Sequence, residues 1–126
     1  MMRALLIRHP FIDKILDGKK TWEMRGSRTY VRETIALVPS GSGTVVGVCD
    51  LVDCVGPLTT AEYRKNARKA GTRPSEARLG YYRKTYAWVV ACPRYLRRPV
   101  SYRHPNGAII WVTLEPTVER AIRRQL

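Results

Sequence analysis

The sequence predicts a single α+β domain over residues 1–126, built on a small β-barrel of about five or six strands with flanking helices. Three observations carry that expectation. A chain of 126 residues is near the commonest size for one domain and can bury one hydrophobic core, hardly two. Its apolar residues fall in short runs divided by turn signals, in the order strand, helix, strands, helices, strands, helix. Strands this numerous and this short close on themselves to remove exposed edges.

Arg3–Ile7 reads as the first strand. Pro10 suits a first helical position, Phe11, Ile12, Ile15 and Leu16 mark an apolar helical face, and Gly18 is placed as a C-terminal stop. Thr21–Arg25 is extended, because the helical period stops and Gly26-Ser27 supplies a turn. Glu33–Val38 and the β-branched run Thr44–Val55 flank a turn at Pro39–Gly43, which makes a hairpin at the centre of the sheet. Gly56-Pro57 ends that run, and Thr59-x-x-Glu62 has the spacing of a capping box opening a helix. Arg73-Pro74-Ser75 restarts a second, shorter helical piece. Tyr86–Ala91 returns to strand chemistry, Ala108–Leu114 reads as the clearest strand, and Thr117–Gln125 as a terminal helix.

Lysine and arginine total 23 against 10 acidic residues, a net charge of +13 and a pI near 10.3, which is the footprint of a phosphate-binding protein. A hydrophobic fraction of 44% excludes disorder as its cause. The densest stretch, Arg64–Lys84, sets eight basic residues against Glu62 and Glu76. Gly71, Pro74 and Gly80 interrupt it too often for a membrane-surface helix. The N-terminal apolar run meets Arg8, His9 and Pro10 too early for a signal peptide, so a cytoplasmic protein with no membrane association is expected. Cys49, Cys54 and Cys92 are odd in number without a CxxC pair and read as buried reduced thiols. Two isolated histidines without a carboxylate cluster predict no metal, and nothing predicts a cofactor.

The polar chemistry concentrates in Gly18-Lys19-Lys20-Thr21-Trp22-Glu23-Met24-Arg25. Period-two alternation puts Thr21, Glu23 and Arg25 on one face and Trp22 and Met24, read as core, on the other, with Lys20 able to bend back to the charged side. A lysine, a carboxylate and an arginine this close form either a structural ion-pair cluster or a polar site. The stretch fits GxKxxExR, with Gly18, Lys20, Glu23 and Arg25 at its fixed positions, and resembles the ASCH domain, a branch of the PUA-like superfamily. Ala87-Trp88-Val89 and Pro99–Leu114 are similar to the closing strands of small bacterial single-domain members.

The resemblance implies a PUA-like barrel with a cleft into which the motif points, and RNA or a modified nucleoside as partner. Members of the branch are described as RNA-binding modules, a single-strand ribonuclease, and an amidohydrolase acting on N4-acetylcytidine. As a binding module, Lys20, Glu23 and Arg25 would read a base, Arg64, Lys65, Arg68 and Lys69 would hold phosphates, and tyrosines among the arginines (Tyr30, Tyr81, Tyr82, Tyr95, Tyr102) would stack. The echo Arg8-His9-Pro10 and Arg103-His104-Pro105, the latter preceded by Tyr102, adds rim candidates. As a hydrolase, Lys20 and Glu23 would be catalytic. The amidohydrolase's nucleophilic threonine falls at Glu23 here, which favours the binding module.

Overall fold

The computed structural model describes all of residues 1–126. Six strands form one sheet in the order β2-β5-β4-β3-β1-β6 and curl into a half-barrel with three α-helices around it. Strand β1 (Arg3–Ile7) pairs parallel with β3 (Thr34–Pro39) and antiparallel with β6 (Trp111–Thr113). The predicted hairpin is β3 with β4 (Thr44–Val55), and β4 lies at the middle of the sheet between β3 and β5 (Tyr86–Ser101). The motif strand β2 (Trp22–Arg25) adds to the outer edge of β5.

Both faces of the central strands are covered, so their sequences run apolar rather than alternating. Leu5, Ile7, Ile35 and Leu37 enter a cluster with helix α1 (Phe11–Leu16) and Trp88. Their neighbours Ala4, Leu6, Ala36 and Val38 enter a second cluster with Ile122 of α3 (Pro116–Arg123). Gly47 lets α1 approach: a Cβ there would lie 2.7 Å from the Arg94 carbonyl oxygen and collide with Leu16.

The capping box at Thr59 and Glu62 forms in both directions, with Glu62 N donating to Thr59 Oγ1 at 3.1 Å and Thr59 N to Glu62 Oε1 at 2.8 Å. Helix α2 (Thr60–Lys65) is shorter than expected, since Arg68 and Lys69 lie in the turns after it, and the second piece is a single 3-10 turn, Pro74–Glu76. Pro10 caps α1 from outside instead of occupying its first turn, and Phe11 is exposed at the border of the apolar stripe.

The last two strands differ from the sequence reading. β5 continues ten residues past Ala91 to Ser101, whereas β6 keeps only Trp111–Thr113 of Ala108–Leu114. Cys92, with φ +52, explains the first difference. Before it, Tyr86, Trp88 and Val90 face the α1 cluster; after it, Leu96 and Val100 face the α3 cluster, although all are even-numbered. A left-handed residue switches the strand between faces, and Cys92-Pro93 therefore looks like a terminus when read only for strand propensity. Cys92 is also exposed and Cys54 half-buried, so the buried-thiol expectation holds for Cys49 alone.

Candidate functional site

Alternation in β2 places Glu23 opposite Trp88 and Trp22 opposite Val89. Trp22 and Met24 do pack inward, but against a small satellite cluster with Leu58, Ala70 and Ala87. The main core lies on the other side, so the charged face of the motif points at the barrel interior. Lys20 and Glu23 are 3% and 7% exposed, which separates them from an ordinary solvated charge cluster.

Glu23 sits between two cations. Its Oε2 accepts from Arg25 Nε at 3.0 Å and pairs with Arg25 Nη2 at 2.9 Å, while Oε1 lies 3.7 Å from Lys20 Nζ. Lys20 Nζ also donates to the Ala70 carbonyl at 2.8 Å, and Arg25 Nη2 to the Leu6 carbonyl at 2.8 Å. Burial lowers the Lys20 pKa from its ordinary value, with Glu23 pulling the other way and Lys14 and Arg25 adding to the depression.

Aromatic rings frame this network. Arg25 lies over Trp88, 5.5 Å from the ring, and Lys20 Nζ is 5.4 Å from the ring of Phe11. The ring of Tyr82 packs on Gly26, where a Cβ would come within 2.6 Å of it. Burial pushes the Tyr82 phenol up, with Arg25 and Arg8 acting in opposition, so Arg8 belongs to the same neighbourhood. Phe11 was not among the expected stacking residues, because its sequence signal is only that of an apolar helix face.

The basic segment is bonded to the motif through its backbone. Thr21 N and Trp22 N both donate to the Lys69 carbonyl, at 2.8 and 2.9 Å, and Lys14 Nζ donates to the Gly71 carbonyl at 2.9 Å. Lys69 Nζ lies 5.4 Å from the Trp22 ring, while Arg64, Lys65 and Arg68 are exposed beside it in sequence. The other candidates are placed differently. His9 is exposed and bonded to Asp13 through Nδ1 at 2.7 Å. His104 Nε2 donates to the Ala108 carbonyl at 2.8 Å, leaving Nδ1 to accept from the Tyr102 hydroxyl at 2.9 Å, and Tyr102 packs on the α3 cluster rather than beside the motif; Arg103 between them is exposed. Tyr30 and Tyr81 are exposed, and Tyr95 donates to Asp17 Oδ1 at 2.7 Å.

Neighbouring side chains cover much of the motif, and two surface depressions, along Arg32–Glu33 with Asp50–Val52 and along Arg28–Glu33 with Arg3, lie apart from it. Tyr82, which packs on Gly26 next to Arg25, belongs to the irregular residues 77–85. Donor capacity remains in the motif: the ammonium of Lys20 and the Nη1 of Arg25 have hydrogens beyond those in the bonds above. Glu23 Oε1 is the carboxylate oxygen farther from its cation, 3.7 Å from Lys20 Nζ. No group of three histidine, cysteine or carboxylate side chains could hold a metal ion.

A family model described as "ASCH domain" matches residues 5–100. The crystal structure of ASCH from Zymomonas mobilis matches with a TM-score of 0.74 at 16% identity, covering 98% of this chain and 94% of that one. A serine-to-alanine variant of that protein matches with a TM-score of 0.72 over the same shares, and a tyrosine-to-phenylalanine variant with 0.70 over 98% and 96%, both at 16% identity. A search of curated proteins returns no match. No helix is long and apolar enough to cross a membrane.

Proposed function

The chain belongs to the ASCH domain family, and from that premise we propose that it binds single-stranded RNA or a modified nucleoside at Lys20, Glu23 and Arg25. Arg64, Lys65, Arg68 and Lys69 hold the flanking phosphates, with Arg8 and His9 at the rim. The observation that carries this reading is the backbone connection between motif and basic segment: the Lys69, Ala70 and Gly71 carbonyls all accept from residues 14–22. A ligand in contact with Arg25 therefore has the densest positive charge of the chain beside it. Phe11 and Tyr82 supply the stacking faces, Lys20 and Arg25 donate to carbonyl or phosphate oxygens, and Glu23 accepts from an exocyclic amine.

The test pairs a conservative motif change with an exposed one. Glu23→Gln keeps the shape but leaves buried Lys20 and half-buried Arg25 without a countercharge, a cost of up to about 3–5 kcal/mol in stability. Phe11→Ala removes an exposed ring and leaves the core intact. Both are expected to weaken RNA or nucleoside binding, by about 1–3 kcal/mol for the lost stacking of Phe11. If folded Phe11→Ala and Glu23→Gln proteins bind like wild type in fluorescence anisotropy, the cleft is not the site.

One observation favours a hydrolase as the second reading. Lys20 is a buried lysine whose pKa burial lowers from its ordinary value, against the pull of Glu23, and a lysine so shifted is a candidate proton donor or acceptor. Product analysis after incubation with single-stranded RNA and with N4-acetylcytidine decides it. Cleavage or deacetylation that disappears in Lys20→Met supports the enzyme; product that persists in Lys20→Met rejects it.

A further inference from the structure

The positive charge is divided along the chain and in space. Residues 1–61 carry eight basic and six acidic side chains, residues 62–84 eight and two, and residues 94–124 seven, all arginine, and two. The middle region is the one bonded to the motif. The last is assembled with α3, on the opposite face of the sheet from α1, which is tied through Lys14 to the Gly71 carbonyl and through Asp17 to the Tyr95 hydroxyl.

Two elements build this second region. In β5, Val100 pairs with Val45 and Tyr95 with Gly47, so the single residue Val46 of β4 stands opposite the four residues 96–99. That excursion is anchored by buried Leu96 and carries exposed Arg97 and Arg98. On α3, Ile122 packs in the same cluster as Leu96. Arg120, Arg123 and Arg124 share one side of the helix, since residues three and four apart are neighbours, and all three are exposed.

Gln125 joins the two elements. Its Oε1 accepts from Arg98 N at 2.9 Å, and its Nε2 donates to the Arg98 carbonyl at 2.8 Å. These are the two bonds that a neighbouring strand would make, so the Arg97-Arg98 backbone is held at a fixed place beside α3. Glu119 is the acidic residue within this helix face, and it is already bonded to Arg123 Nε at 2.8 Å and to Met2 N at 2.7 Å.

Arginines concentrated in this way repel one another, and one carboxylate offsets only one of them. A planar guanidinium matches a phosphate through two parallel donors. We propose that the Arg97-Arg98 excursion of β5 and the arginine side of α3 form a second phosphate-binding face, which holds the backbone of single-stranded nucleic acid outside the motif cleft. It rests on the nucleic-acid reading of the cleft and adds a separate site to it. A short ligand seated at Arg25 stays on the α1 face of the sheet, whereas a long strand occupies both phosphate-binding faces.

The experiment compares wild type with the combined variant Arg97→Ala, Arg98→Ala, Arg120→Ala and Arg124→Ala, using a long single-stranded RNA and a trinucleotide over a salt series. All four side chains are exposed, so an unchanged circular dichroism spectrum and melting temperature are expected. For the long RNA, the slope of log affinity against log salt falls by about 3 in the variant, as each lost single-strand phosphate contact removes about 0.7. Trinucleotide affinity stays at the wild-type value. An unchanged long-RNA slope, or an equal loss for the trinucleotide, overturns the proposal.

Phe11→Ala separates the two readings, because it weakens both ligands without altering the slope. If it has no effect while the arginine variant still loses slope, the cleft assignment fails and the second face stands. Wild-type protein that binds vesicles rich in phosphatidylserine and neither RNA assigns the face to a lipid surface, and overturns both.

Discussion

At the scale of single residues, Glu23 shows why sequence spacing could find the motif and could not orient it. The period of two correctly separates Glu23 and Arg25 from Trp22 and Met24, but both faces of β2 are covered, and a rule that turns apolar residues inward cannot choose between two interiors. The same packing brings Glu23 into the field of Cys49. Burial pushes the Cys49 thiol up to about 12, with Asp50 and Glu23 adding in the same direction. An unfolded thiol titrates near 9.0, so the fold favours the protonated form; the resulting stability is complete below pH 9.0 and is lost as pH rises through about 12. The urea midpoint of wild type should therefore fall towards that of Cys49→Ala between pH 9.0 and about 11, and a gap independent of pH would contradict it. In thiol labelling at neutral pH, exposed Cys92 reacts first, Cys54 later, and Cys49 only in denaturant.

At the scale of elements, legibility followed local chemistry. The first strand, the hairpin and the capping box were read correctly because each is specified by contiguous residues. β5 was read to only about its first third, because Cys92 changes the strand's face and the arginines after it lack strand propensity; their placement comes from Leu96, Gln125 and pairing with Val45 and Gly47. Gly47 is another element-scale feature invisible as a signal. Its missing side chain sets the distance between α1 and the β4–β5 ladder, and the Arg94 carbonyl it would strike is backbone and cannot rotate away. Gly47→Ala is expected to cost about 1–3 kcal/mol by urea denaturation. Gly26→Ala meets only the Tyr82 side chain, which can turn aside, so its stability loss should be the smaller of the two. Equal losses would mean that α1 shifts to accept the methyl group.

At the scale of the whole molecule, the expected barrel is realised as a curled half-barrel with an open seam. The outer strands are β2 and β6, and no strand pairing joins them. Side chains bridge the seam: Trp88 stacks on Trp111 of β6 with ring centres 5.6 Å apart, and Arg25 of β2 donates to the Leu6 carbonyl of β1. Arg25 thus belongs to the candidate site and to the closure of the sheet, and these two roles predict different consequences. A purely ligand-binding arginine would leave the free protein's amide exchange unchanged when replaced. A closing arginine would not, because hydrogen bonds of a charged donor contribute about 1.5–3 kcal/mol each, and their loss lowers the free energy of local opening by a similar amount. Arg25→Met is therefore expected to speed exchange of the β2 amides and, across the seam, of the β6 amides and Leu6, whose N–H donates to the Ile110 carbonyl at 2.9 Å. The β3–β4 ladder, with two strands outside it on either side, keeps its protection. Faster exchange confined to β2 would show that Arg25 orders only its own strand, and that the stacked Trp88 and Trp111 rings bridge the seam by themselves.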